Sequence, residues 1–213
     1  MSPAQAAKRG AGPTQPVFLD FHMPVDRITP AHQVRTTLLV SAIQAFRARG
    51  LYDAYVGHLN PQARLSLLSL IAGQWAPIGL AEQHYRAADR LGLSVDAIEA
   101  IGSEVADRIN KSALSVMVKM GKEAGATPWS ALGHAHRLTN MNWRGSDVRV
   151  LKLGPKEARY DWLGQPCAAV PYFVVSFGGF LRSLTSLFCT RTYARVVTDR
   201  CSPTQISYRL SWV

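Results

Sequence analysis

The segment Asp147-Val-Arg-Val-Leu-Lys-Leu153 alternates charged residues with apolar ones. A period of two residues is typical of a β-strand that buries one face. Gly154-Pro155 follows as a turn signal, and Ala158 to Leu163 supplies a second candidate strand. Because the residues before this stretch show a helical period instead, we expect the chain to fold in two parts.

The residues after 163 extend the sheet and add a helix. Val170 to Phe188 is apolar over a length that suits a buried helix, and Tyr193 to Asp199 and Gln205 to Trp212 again alternate. Arg200 to Thr204 joins these two segments as a hairpin turn. Residues 141–213 are therefore predicted to form a helix packed on a four-stranded antiparallel sheet.

The residues before 141 carry apolar side chains at three- and four-residue spacing, the period of amphipathic helices. Asn60-Pro61 and Thr127-Pro128 each place a capping residue before a proline, which is typical of a helix start. Five or six helices are predicted: Val34–Arg49, a helix from Asn60 to near Gly73, Ile78–Leu91, a helix from Val95 that continues or kinks through Lys111–Met120, and a helix from Thr127 toward Asn140.

The predicted fold class is therefore α+β. Residues 1–33 form a tail and lead-in that is partly disordered, because residues 1–16 are rich in Ala, Gly, Pro and Gln. Residues 34–140 form a helical subdomain and residues 141–213 an α/β subdomain, and we expect the two to pack as one unit.

Composition restricts the class of protein. The 213 residues include 24 Lys plus Arg and 14 Asp plus Glu, a formal net charge of +10, and 47% are hydrophobic, which excludes a wholly disordered chain. Residues 141–213 hold ten basic and four acidic residues. This excess indicates either a solvated basic surface or an acidic protein partner, for which Arg191, Arg195 and Arg209 are the candidate binding residues. The arginines are scattered, which argues against nucleic acid as a partner.

Targeting signals are weak. Three cysteines without metal-type spacing favour unreactive thiols in a reducing compartment. No apolar core follows the basic pair near the N-terminus, so we expect no signal peptide. Trp162 to Leu181 is uncharged and as long as a membrane span, but glycines and prolines interrupt it, which favours a buried helix. We expect a cytoplasmic protein without a membrane span.

Motifs of catalysis and metal binding are missing from the sequence. It contains no GxSxG, phosphate loop or GxGxxG. His134 and His136 are two residues apart, which on a helix directs their rings to different sides, so they do not share one metal ion. His58 and His84 stand alone and are expected to be surface or hydrogen-bonded core residues. We therefore expect neither an enzyme nor a metal site.

Aromatic residues are spread over both parts of the chain. Most are expected in the core, but aromatic side chains also line pockets, since they cover large apolar surfaces. The candidate ligand-binding residues are Tyr160, Trp162, Tyr172 and Phe173, with His134 or His136 as the polar group of the cavity.

The order of elements and several short phrases resemble known families. The phrases are Leu91-Gly-Leu-Ser-Val-Asp-Ala97, Gly133-His-Ala-His136, residues 150–159, Pro171-Tyr-Phe173, Gly178-Gly-Phe-Leu181 and Tyr208-Arg-Leu-Ser-Trp212. Over roughly residues 34–213 the chain resembles an uncharacterised family of paralogous myxobacterial proteins. That family is similar in outline to the haem-NO-binding domain and to the 4-vinyl-reductase ligand-binding domain.

The haem-NO-binding resemblance implies a haem site that can be compared residue by residue. In that family a histidine before the sheet ligates the iron, and His134 or His136 occupies the matching place. A Tyr-x-Ser-x-Arg motif grips the haem propionates, and the matching residues here are Tyr160, Trp162 and Gly164. Because the arginine that would pair with a propionate is replaced, we expect no cofactor and a colourless protein.

The function expected from the sequence is that of a non-enzymatic sensory or regulatory domain that binds a small apolar ligand or a protein partner. Two alternatives stay open. One is a structural or assembly protein that docks an acidic partner through its basic C-terminal third. The other is a haem-dependent gas sensor.

Overall fold

A computed structural model describes residues 17–20, 24–109 and 125–213 of the chain. The predicted disordered tail over residues 1–16 and the predicted helical continuation through Lys111–Met120 lie outside the described residues. The architecture mixes helices with antiparallel sheets, which confirms the predicted α+β class. The division of the chain at residue 140 stays a prediction.

The main sheet has five antiparallel strands in the order β1-β5-β6-β8-β7, one more than predicted. The extra strand is β1, which pairs with β5 at the edge of the sheet. β7 and β8 pair as the predicted hairpin, although β7 ends at Val196 and a 3-10 turn over Thr198–Arg200 follows. The strands are β1 Val17–Asp20, β5 Asp147–Gly154, β6 Glu157–Leu163, β7 Thr192–Val196 and β8 Gln205–Trp212.

Eight α-helices lie in the described residues: α1 Thr36–Ala48, α2 Tyr52–Gly57, α3 Pro61–Leu68, α4 Ile78–Asp89, α5 Val95–Ile109, α6 Pro128–Leu132, α7 Ala135–Asn140 and α8 Pro171–Ser186. Helix α3 starts as predicted, because the Asn60 side chain accepts a hydrogen bond from the Ala63 amide at 2.7 Å. The single helix predicted from Thr127 toward Asn140 is divided into α6 and α7.

Helix α8 covers the inner face of the five-stranded sheet. The side chains of Ile206, Tyr208 and Leu210 are fully buried, as the period of two predicts. The Tyr208 hydroxyl donates to the Val174 carbonyl oxygen at 2.7 Å and so joins β8 to α8. Burial of this apolar strand face against the helix is the main contact that holds the C-terminal part together.

A second, three-stranded sheet was not predicted: β3 lies inside the region predicted to be helical, β2 at its start, and β4 at the start of the predicted α/β part. Its strands are β2 Gln33–Arg35, β3 Trp75–Pro77 and β4 Trp143–Arg144, in the antiparallel order β3-β2-β4. The paired residues Val34, Ala76 and Trp143 are buried on one face. Strands of two or three residues are too short to show a period of two, so the sequence pattern could not reveal this sheet.

Helices α5 and α8 cross with their backbones in contact. A Cβ atom at Gly102 would lie 1.8 Å from the Ser176 carbonyl oxygen, and one at Gly179 would lie 2.1 Å from the Glu99 carbonyl oxygen. Only glycine permits this approach at either position. The crossing fixes the helical part to the helix that covers the sheet.

No helix within the described residues is long and apolar enough to cross a membrane. The uncharged stretch from Trp162 to Leu181 is divided between the end of β6, a 3-10 turn over Pro166–Ala169 and the first turns of α8.

Candidate functional site

An apolar cavity of about 360 Å³ lies at the junction of the two parts of the chain. Helices α1 and α5 form one wall, α6 and α7 a second, and β6 with α8 a third. This volume falls within the range of about 300–1,000 Å³ that is usual for small-molecule sites. The cavity is therefore the candidate functional site.

The wall of the cavity is almost entirely hydrocarbon. None of the described residues that line it is Lys, Arg, Asp or Glu. The structure places all four aromatic candidates on this wall, and Trp143 and Phe177 are among the further aromatic residues that line it. Trp162 is fully buried and packs with its ring centroid 4.5 Å from that of Phe177. The candidate aromatic residues on the wall are Tyr160, Trp162, Tyr172 and Phe173.

The two candidate histidines have different surroundings. His134 precedes α7 and lines the cavity, and its ring forms no hydrogen bond with a described residue. His136 lies inside α7 and is not part of the cavity wall. Its Nδ1 lies 2.7 Å from Asp147 Oδ1, and its Nε2 lies 2.7 Å from the Asn140 side-chain nitrogen. His134 is therefore the imidazole available to a molecule in the cavity.

Most polar side chains on the wall are satisfied within the protein. The Tyr160 hydroxyl lies 3.1 Å from Thr139 Oγ1, and Ser176 and Thr185 donate to backbone carbonyls of their own helix. The Tyr172 hydroxyl is different, because it is buried and has no hydrogen-bond partner in the described part of the chain. Burial raises the pKa of Tyr172, so the phenol stays protonated and keeps a proton to donate.

A buried histidine, His84, packs against Tyr85 of the cavity wall. His84 Nδ1 lies 2.7 Å from the Tyr55 hydroxyl, whereas its Nε2 is buried without a partner among the described residues. Burial lowers the pKa of His84 to about 3, so the ring is neutral near pH 7. The neighbouring ring of Tyr85, at a centroid distance of 4.9 Å, connects this pair to the cavity. Sequence reasoning missed the pair, because its members lie 29 residues apart on two helices.

The candidate partner-binding arginines lie on the outer face of the five-stranded sheet. Arg195 pairs directly opposite Arg209, which in turn pairs opposite Arg159. Arg209 forms an ion pair with Glu157, and Arg191 donates to the Tyr193 hydroxyl at 3.5 Å. Arg191, Arg195 and Arg209 are exposed, and their role in binding an acidic partner stays a prediction.

The sequence matches no protein-family model and no curated protein. The fold does match solved structures. The Fe(II) unliganded H-NOX protein from K. algicida aligns at a TM-score of 0.59 and 8% identity, over 84% of this chain and 96% of that one. An H-NOX family protein used to probe the function of heme distortion aligns at a TM-score of 0.57 and 10% sequence identity. The alignment covers 84% of this chain and 94% of that one.

A third match is an oxygen-binding H-NOX domain related to soluble guanylate cyclases. It aligns at a TM-score of 0.55 and 12% identity, over 84% of this chain and 94% of that one. At these identities the comparison establishes the fold, and the described chain has the α+β fold of H-NOX domains.

The expectation of no cofactor is wrong in the light of these matches, because the structures that share the fold include an Fe(II) protein and a protein studied for heme distortion. The expectation rested on Trp162 and Gly164, which replace the two propionate-binding residues. Positions 162 and 164 concern only the binding of the propionates at the edge of a porphyrin. Binding of the ring requires an apolar wall, and binding of the iron requires an imidazole.

Proposed function

We propose that this chain is a haem-dependent gas-sensing domain, in which His134 ligates the iron and the cavity encloses the porphyrin. The observation that carries the proposal is that His134, an exposed residue whose ring has no hydrogen-bond partner among the described residues, borders a largely apolar cavity. The H-NOX fold supports it. We infer a sensor rather than an enzyme, since no catalytic pair of acid and base lines the cavity in the described residues.

The residues present fit the ring and the iron of haem. A porphyrin supplies four nitrogen ligands, so the protein needs to add one imidazole rather than a cluster. The described residues contain no group of three or more metal-ligating side chains, and a haem site does not require one. The aromatic and aliphatic wall favours a flat apolar ring over water.

The propionates would be bound differently from the Tyr-x-Ser-x-Arg pattern. The Trp162 indole nitrogen donates to Ser146 Oγ at 3.0 Å and is fully buried. Gly164 has a φ of +72°, and a Cβ there would lie 3.1 Å from Ile28 Cγ2, so an arginine does not fit at this turn. With no cation on the described wall, we expect the propionates to face solvent and the affinity for haem to be lower than with an arginine clamp.

Bound haem supplies an iron coordination position at which a diatomic gas can bind. This chain would contribute the imidazole of His134 as a ligand of the iron and an apolar wall that excludes water. A change in occupancy would act on α6 and α7, which form the wall nearest to His134.

The test is reconstitution of the purified chain with hemin, followed by absorbance in the Soret region. We expect binding of one haem per chain with a spectrum of histidine ligation. His134→Gly should abolish that spectrum, and added imidazole should restore it, because free imidazole can occupy the space of the missing side chain. His136→Gln is the matched control, since His136 lies outside the cavity wall and should leave the spectrum unchanged.

The proposal would be overturned if hemin binds without a spectral change on His134→Gly, or does not bind at all. A smaller apolar ligand in the same cavity is the second candidate, and the residues at positions 162 and 164 favour it. Native mass spectrometry of the purified chain distinguishes the two, because a retained haem and a retained lipid or other apolar molecule differ in mass.

A further inference from the structure

The exposed face of the three-stranded sheet carries two arginines and a tryptophan in contact. Arg35 pairs opposite Trp75, and Arg144 pairs opposite Gln33, so all four residues share one face of the sheet. The guanidinium carbons of Arg35 and Arg144 each lie 4.4 Å from the centroid of the Trp75 ring. Both cations are thus held by the indole in fixed positions.

The charges of these two arginines are not neutralised. Arg35 donates to the Gly73 carbonyl oxygen at 2.7 Å and Arg144 to Gln33 Oε1 at 2.9 Å. Neither forms an ion pair with a described residue, in contrast to Arg159, which pairs with Asp161. Each guanidinium has five N–H donors, so most donors of both side chains remain open to an anionic group.

Three aliphatic side chains are exposed on the loop that Arg35 contacts and on the helix before it. Ile71 is 66% exposed on the loop that Arg35 contacts through Gly73. The loop is fixed to the start of α1, because Thr36 Oγ1 donates to the Ile71 carbonyl oxygen at 2.7 Å. Leu65 and Leu68, on the helix that leads into the loop, are 70% and 37% exposed. Arginine, tryptophan and ordered aliphatic residues together are typical of the centre of a protein interface.

We propose that Arg35, Trp75, Arg144, Ile71, Leu68 and Leu65, called here the Arg–Trp surface, dock an acidic segment of a partner protein that also carries bulky apolar side chains. Charge complementarity favours this occupant, since two positive groups have no carboxylate of their own among the described residues. A second copy of this chain would present the same positive surface on a molecule of net charge +10. The outer surface of a nucleic-acid duplex is mainly phosphate and sugar, which complements the arginines but not the exposed leucine and isoleucine side chains. The proposal is independent of haem.

The test uses the full chain and a labelled synthetic peptide in which Glu and Asp alternate with Leu, with binding followed by fluorescence anisotropy. In one control peptide Gln and Asn replace the acidic residues. In the other, Ser replaces the Leu residues. We expect each control peptide to bind at least about tenfold more weakly, because each lacks one of the two complementary contacts.

Variants locate the binding surface. Arg144→Glu and Ile71→Ser should each weaken peptide binding about tenfold, and the indole N–H resonance of Trp75 should shift on peptide addition. Arg200→Glu is the matched control, because it reverses an exposed arginine in the turn that follows β7, outside the Arg–Trp surface, and should change the affinity little. A thermal melt of each variant checks that the fold is kept.

Three outcomes would overturn the proposal. One is an equal loss on Arg200→Glu and Arg144→Glu, which would show that the peptide responds to overall charge. The second is the absence of peptide binding. The third is tighter binding of a DNA duplex or of phosphatidylglycerol vesicles than of the peptide, with the same dependence on Arg144.

Discussion

At the scale of the residue, the Tyr172 hydroxyl is buried and has no hydrogen-bond partner among the described residues. An unsatisfied buried hydroxyl lowers stability, so Tyr172→Phe should raise the free energy of unfolding by about 1 kcal/mol. Tyr208→Phe is the matched comparison, because it removes a hydrogen bond of 2.7 Å to the Val174 carbonyl oxygen and should lower that free energy by about the same amount. Urea unfolding of the natural chain and the two variants measures both changes in unfolding free energy. Changes of the same sign would contradict the conclusion that only the Tyr208 hydroxyl has a hydrogen-bond partner.

The neutral state of His84 makes stability depend on pH. Its pKa is lowered to about 3 in the folded chain by burial, against 6.5 for an unperturbed histidine. Between these two values the unfolded chain binds the proton and the folded chain does not. The contribution of this group to stability is therefore intact above about pH 6.5 and is lost progressively as the pH falls toward 3.

His84→Gln should remove this dependence. We expect the plot of unfolding free energy against pH to be steeper for the natural chain than for the variant, by roughly one bound proton between pH 6 and pH 4. Denaturant titrations at several pH values measure the difference. Parallel plots would show that His84 becomes protonated in the folded chain.

At the scale of the element, the crossing of α5 and α8 depends on two glycines. Gly179→Ala would place a methyl group 2.1 Å from the Glu99 carbonyl oxygen. Gly102→Ala would place one 1.8 Å from the Ser176 carbonyl oxygen. Each substitution forces the helices apart and should cost at least about 2 kcal/mol of stability. Differential scanning calorimetry measures the loss.

Gly79→Ala is the control for this prediction. Gly79 lies in α4, and a Cβ there meets no atom within 4 Å. Alanine has the higher helix propensity, so this variant should be as stable as the natural chain or more stable by up to about 1 kcal/mol. A similar loss at all three glycines would mean that the close crossing is not the cause.

At the scale of the whole molecule, the sequence predicted the long elements and their order. Helices such as α1 and α5 and the hairpin of β7 and β8 show a clear period over many residues, and periodicity depends on burial of one face. The three-stranded sheet was missed, because two or three residues show no period. The crossing at Gly102 was also missed, since nothing local distinguishes a glycine at a helix contact from any other.

The site could be predicted in part. Tyr160, Trp162, Tyr172 and Phe173 were predicted as aromatic residues that line a pocket, and all four lie on one cavity wall. Sequence alone did not separate His134 from His136, because the difference depends on Asp147 and Asn140, which hold only the second ring. The pair of His84 and Tyr55 and the Arg–Trp surface join residues far apart in the chain, so neither leaves a local pattern.

The backbone contact between α5 and α8 also determines how the cavity can change its volume. Two helices that touch at Gly102 and Gly179 can neither approach nor slide without a steric clash, so this side of the cavity is stiff. Helices α6 and α7 have five and six residues and are joined through Gly133. We therefore expect any expansion or contraction of the cavity to be concentrated in residues 128–140. On this expectation a stiff wall of α5 and α8 faces a more compliant wall, and the compliant wall carries His134.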